Sequence, residues 1–167
     1  MLYKSNPTLF EWNSSPIVYK TTKEWGSISN IINKYFVAKS GLYHYLSTAK
    51  SNYREYLKGE TVRLKKYFYV LRPLLASKWI LAEGTPPPML FSELMDKYLD
   101  ETIREDILQL LDLKMNNPEI AEGKRFDKVI EYIGRNIATI EELMKSMPST
   151  DDNGWDELNK VFLSVLE

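Results

Sequence analysis

The sequence holds 167 residues with a formal net charge of −1 and 44% hydrophobic residues, enough for a single core of ordinary size. Cysteine is missing and His44 is the only histidine; disulfides, thiolate metal sites and cysteine nucleophiles are excluded, and a zinc site would lack a second nitrogen ligand. No apolar run reaches the roughly 18–20 residues of a membrane span, and the N-terminus has no charged-then-apolar signal layout, so the chain reads as soluble and cytoplasmic, with no membrane partner.

The N-terminal stretch NPTLFEWNSSPIVY offers two short apolar and β-branched segments, Thr8 to Trp12 and Ile17 to Tyr19, divided by Asn13, Ser14, Ser15 and Pro16. It predicts one or two strands, and because an isolated strand pair is barely stable, it predicts a sheet completed elsewhere. From there the periodicity is helical. Thr21 and Glu24 have capping-box spacing ahead of Trp25, Ile28, Ile32 and Tyr35. Ser40 is positioned to cap a second helix whose stripe runs through Leu42, Tyr45, Leu46, Ala49, Tyr53, Tyr56 and Leu57 to a stop at Gly59. A third helix starts at Thr61, continues to about Glu83 and breaks at GTPPP, residues 84 to 88. Four more follow: near Ser92 to Leu99, Asp100 to Met115, Arg125 to Met147 and Asp152 to Leu166. The expected fold is mainly α, an antiparallel helical bundle with a short β element near the N-terminus. Residues 1–20 are assigned to the β element and residues 21–167 to the helical domain.

Charge is segregated along this order. Residues 50 to 78 carry eight basic against two acidic side chains, whereas residues 91 to 167 carry nine basic against eighteen acidic. On the third helix Lys65, Lys66, Tyr69 and Arg72 share about a third of the circumference, opposite Leu64, Tyr67, Phe68, Leu71, Leu74, Leu75 and Trp79. Pro73 falls inside the basic arc, and its missing N–H deprives the Tyr69 carbonyl of its helical partner. The preceding helix presents Lys50, Arg54 and Lys58 at four-residue steps, with Tyr43, His44, Ser47 and Ser51 further round. A hairpin through Gly59 would bring these cations and phenols toward one groove, which suits a triphosphate or a nucleic-acid backbone. The other reading of the same arc is a solvated helix face. There is no P-loop, no G-x-G-x-x-G and no H-E-x-x-H, and WGSIS sits in an amphipathic helix rather than at a nucleophile elbow.

The stretch HYLSTAKSNYREYLKGETVRLKKYFYVLRPLLASKWI, with NPTLFEWNSSPIVY before it and GTPPP after it, resembles the RlaP-like (YcgL-type) nucleotidyltransferases of the DNA polymerase β superfamily, associated with RNA repair. The likeness covers residues 6 to about 99 closely and the later helices loosely. It implies transfer of a nucleotidyl group from an NTP, promoted by magnesium ions on an Asp-x-Asp pair that follows a Gly-Ser motif. This sequence has neither motif in place: Gly26-Ser27 is followed by no such strand, and Asp96 is the first aspartate. The resemblance therefore implies a C-terminal portion, truncated or split from its catalytic half and inactive alone. It implies Mg2+ for the complete enzyme, with none held tightly by this chain. Glu11 becomes a candidate third metal carboxylate, and Lys50, Arg54, Lys65, Lys66, Tyr69 and Arg72 become candidate nucleotide and phosphate ligands. The expected partners are an NTP, RNA, and either an N-terminal catalytic chain or a second copy joined through the β segment. The alternative is a non-enzymatic helical module that binds RNA or a protein through the basic groove.

Overall fold

A computed structural model describes residues 2–117, 122–148 and 154–166, and among them eight α-helices and one two-stranded antiparallel ladder. The helices are α1 (Pro7–Asn13), α2 (Lys23–Ile32), α3 (Ala38–Tyr56), α4 (Leu64–Glu83), α5 (Phe91–Tyr98), α6 (Glu101–Asn116), α7 (Asp127–Ser146) and α8 (Asp156–Leu166). The strands are β1 (Thr61–Arg63) and β2 (Glu122–Lys124), with Thr61 opposite Lys124 and Val62 opposite Gly123. The mainly α architecture read from the sequence holds.

The position of the β element does not. Thr8 to Trp12 lies within α1. Asn6 stands at the N-cap with extended backbone, its side chain accepting the Thr8 N–H at 3.0 Å, and Pro7 occupies the first turn. An Asn-Pro pair is a helix start, since the cap satisfies an orphan N–H and proline has none to satisfy. That local chemistry outweighs the strand propensity of TLFEW. Ile17 to Tyr19 is irregular and exposed, with Tyr19 97% accessible. The first twenty residues are thus no strand unit: Phe10 is buried with Ile31, Ile32 and Tyr35, and its ring meets Phe36 edge-on at 5.1 Å.

Helix starts shift by a few residues for similar reasons. Thr22 rather than Thr21 caps α2, its hydroxyl accepting the Trp25 N–H at 3.3 Å. Ser40 lies inside α3, which begins at Ala38. The third helix begins at Leu64, because Thr61 to Arg63 pairs with β2 and Val62 is buried there. Its end falls where the sequence placed it. Gly84 adopts φ +67° and donates its N–H to the Ile80 carbonyl, closing α4 with the left-handed turn that glycine takes without cost.

The main core is built around the α3–α4 hairpin, the most extensive packing in the chain, covered by α5, α6 and α7. Tyr67, Leu71, Leu74 and Leu75 of α4 are fully buried against Leu42 and Leu46 of α3 and Ile133 of α7. A close approach at the start of α3 explains Gly41: a Cβ there would lie 2.7 Å from the Phe36 ring. Among the described residues no helix is long and apolar enough to cross a membrane.

Candidate functional site

A small hollow opens between α3 and the first half of α4, and the Glu11 side chain reaches it from α1. Helix α3 presents His44, Thr48 and Asn52, spaced by four and therefore on one face. Helix α4 presents Phe68, Tyr69, Arg72 and Pro73, while α1 contributes Glu11. The hollow encloses about 260 Å³. A second, more open hollow of about 410 Å³ adjoins it, sharing His44, Thr48 and Asn52 and extending to Tyr43, Ser47 and Ser51.

Its electrostatic centre is one oxygen. Glu11 Oε1 accepts the Tyr45 hydroxyl at 2.9 Å and both terminal nitrogens of Arg72 at 3.2 and 3.3 Å. Arg72 reaches outward from α4 because the opposite side of that helix is committed to the core, and its Nη2 also contacts the Met89 sulfur at 3.6 Å. Burial pushes the Tyr45 phenol well above its ordinary range, and the Glu11 charge and hydrogen bond push it further, with Arg72 opposing. Tyr45 therefore enters this network as a neutral donor. The His44 ring stands edge-on to Tyr45 at 5.2 Å.

The orphan carbonyl created by Pro73 is satisfied here. Asn52 Nδ2 donates to the Tyr69 oxygen at 3.0 Å, replacing the N–H that residue 73 cannot supply. Helix α4 runs through Pro73 without interruption. Pro73 itself is buried, so it lines the hollow's floor instead of standing among exposed charges. One turn on, the Ser77 hydroxyl donates to the Pro73 carbonyl at 2.8 Å.

Of the residues singled out in the sequence, Glu11, Tyr69 and Arg72 meet in this hollow; Lys50, Arg54, Lys65 and Lys66 do not line it. Lys50 lies about 200° around α3 from Thr48 and pairs with Glu141 of α7 at 2.5 Å. The Lys50 hydrogen bond holds the Glu141 carboxyl below its usual range, and Arg54 adds to the effect. Lys66 lies over the rings of Tyr56 at 3.5 Å and Tyr69 at 4.7 Å, which places its ammonium at the edge of the aromatic rim. Lys65, on the same turn of α4, is partly buried. The single convergent basic groove expected from the sequence is thus two regions on either side of α3.

Tyr45, Thr48 and Asn52 were not picked out as site residues. A signal was present in the register: Tyr43-Ser47-Ser51 and His44-Thr48-Asn52 repeat at four-residue steps, giving α3 a hydroxyl and amide face distinct from its basic one. What the sequence could not supply was the approach of Glu11 from a helix read as a strand.

A hard divalent cation takes several oxygen ligands. Among the described residues no three His, Asp or Glu side chains are placed to hold a metal ion, and Glu11 stands beside a guanidinium. The groove's own donors do not fit a magnesium ion.

Comparison with known proteins agrees with the resemblance carried by the hairpin motifs. The chain is 38% identical over 168 residues to the uncharacterized protein YcgL of Bacillus subtilis (strain 168), an alignment covering 98% of this chain and 64% of that relative. It therefore spans somewhat less than two thirds of that protein's length. No solved structure matches. The model of the RNA repair pathway DNA polymerase beta family, RlaP, matches residues 1–164, and with that extent of match the chain belongs to the RlaP family.

Proposed function

We propose that this chain is the helical nucleotide-binding portion of a nucleotidyltransferase, with the α3–α4 hollow and its rim as the binding surface. The single observation carrying this reading is the meeting of Arg72, Tyr69 and Glu11 from two separate sequence motifs in one hollow at the proline-containing turn of α4. In this arrangement Tyr69, about half exposed, offers a face for a base or sugar. Lys65 and Lys66 of α4 stabilise charge on the phosphates, while Arg72 holds the Glu11 carboxylate at the hollow. Lys50 and Arg54 extend that positive field on the other side of α3. The magnesium ions of a complete enzyme require carboxylates beyond those gathered here, so the isolated chain binds nucleotide without transferring it.

The test is a calorimetric titration of the chain with ATP at two salt concentrations, paired with a nucleotidyl-transfer assay using labelled NTPs and Mg2+. Saturable ATP binding without transfer is the expected result. Arg72→Ala takes away the guanidinium that holds Glu11 in place and is expected to weaken binding by about 1.5–3 kcal/mol, the usual worth of a hydrogen bond to a charged group. Robust metal-dependent transfer by this chain would overturn the claim of an incomplete centre. A chain that ignores ATP but binds short RNA with a steep salt dependence is the alternative, an RNA-binding helical module.

A further inference from the structure

We propose that the small hollow recognises the vicinal hydroxyls of a ribose, with Glu11 Oε2 as the acceptor, a reading that rests on the nucleotide-binding function above. Arg72 does not grip Glu11 in the fork-to-fork manner that would use both carboxylate oxygens. Both of its terminal nitrogens, and the Tyr45 hydroxyl, converge on Oε1. Among the described residues Oε2 receives no protein hydrogen bond, and no buried side-chain oxygen lacks a partner, so Oε2 is reachable from solvent. The carboxylate side chain is only 27% exposed, and its hydrogen bonds to Tyr45 and Arg72 hold it in place. An ionised acceptor in a restricted hollow selects donors and repels anions. The Arg72 charge is paired with that same carboxylate.

Size points the same way. The hollow, at about 260 Å³, has room for a single sugar ring beside Glu11. A ribose brings two adjacent hydroxyl donors, and donors on neighbouring carbons can both turn to the one remaining oxygen, Oε2. Tyr69 at the rim and the adjoining hollow along Tyr43, Ser47 and Ser51 provide room for the base. The phosphates then run outward toward the turn of α4 that carries Lys65 and Lys66.

The test titrates the full chain with ATP, 2′-deoxy-ATP and 2′,3′-dideoxy-ATP by calorimetry, and repeats the series with Glu11→Gln. Removing both hydroxyls is expected to weaken binding at least tenfold, about the smallest factor for losing hydrogen bonds to a charged acceptor. Glu11→Gln is expected to weaken ATP by a similar factor and to weaken the dideoxy nucleotide far less, because among the nucleotide's groups only the ribose hydroxyls reach the altered side chain. Equal affinity of the wild-type chain for ATP and its dideoxy analogue would overturn the ribose site while leaving nucleotide binding intact. Failure to bind any of the three would overturn both. Should Glu11→Gln unfold the chain, the wild-type comparison decides alone.

Discussion

Asn52 and Pro73 are two halves of one backbone repair, which a double-mutant cycle can expose. Pro73 removes the N–H that would bond the Tyr69 carbonyl, and Asn52 Nδ2 supplies a donor at 3.0 Å. In the wild-type background Asn52→Ala strips that donor and is expected to cost about 1 kcal/mol, the net worth of an ordinary hydrogen bond. Pro73→Ala restores a backbone donor. It removes an intrinsic helix-interior penalty of about 3 kcal/mol and gives up two buried methylenes at about 0.8 kcal/mol each, leaving a net gain of roughly 1 kcal/mol. In that background the Tyr69 carbonyl already has a partner, so Asn52→Ala is expected to cost less than about 0.5 kcal/mol. The coupling stands above the 0.3–0.5 kcal/mol scatter of such cycles. Urea unfolding followed by far-UV circular dichroism measures all four proteins. An Asn52→Ala cost that is the same in both backgrounds would show that the side chain is not replacing the missing N–H.

Tyr67→Phe removes the hydroxyl that accepts the Phe126 N–H at 3.0 Å and leaves that donor without its partner; a loss of about 1–3 kcal/mol in urea unfolding is expected. Gly41→Ala places a methyl 2.7 Å from the Phe36 ring and is expected to cost about 1–3 kcal/mol through overpacking, with Phe36→Leu relieving part of it. Burial raises the Tyr45 and Tyr132 phenols above their ordinary pKa. A group with a raised folded-state pKa contributes stability that is complete below its unfolded value, about 10 for tyrosine, and is lost as pH rises through the folded value. Stability is therefore expected to decline above about pH 10 in alkaline unfolding, and Tyr45→Phe to flatten part of that decline. An unchanged slope would refute Tyr45's share of it. The Lys50–Glu141 pair contributes in the opposite window: with the Glu141 pKa lowered, its stabilisation is present above the ordinary carboxylate range and fades as pH falls. Glu141→Gln is expected to reduce the acid sensitivity of the melting temperature.

Much of the helical register was legible, because apolar residues at three- and four-residue steps must share a face whatever they pack against. Leu42, Leu46 and Ala49 on α3 and Tyr67, Leu71 and Leu74 on α4 are buried as that spacing requires. The stop at Gly84 was legible from glycine and proline chemistry, and the empty acceptor on Tyr69 followed from Pro73 alone. The N-terminal segment was misread through its composition: Thr, Leu, Phe and Trp suit a strand, yet Asn6 and Pro7 start a helix there. The β1–β2 ladder joins residues some sixty apart, and each three-residue strand is too short to declare itself by alternation.

The site divides along the same line. The sequence by itself determined which residue types were at hand: a basic α4, a proline beneath Tyr69, a hydroxyl and amide face on α3, and motifs shared with the RlaP family. Tertiary structure alone decided that Lys50 turns to Glu141 while Arg72 turns to Glu11. One-dimensional spacing fixes the direction of a side chain around its own helix, but not the charge that another helix brings to meet it. Glu11 is sixty-one residues from Arg72 in the chain; only the tertiary placement of α1, which lets Glu11 reach Tyr45 of α3 and Arg72 of α4, makes its carboxylate the centre of the hollow.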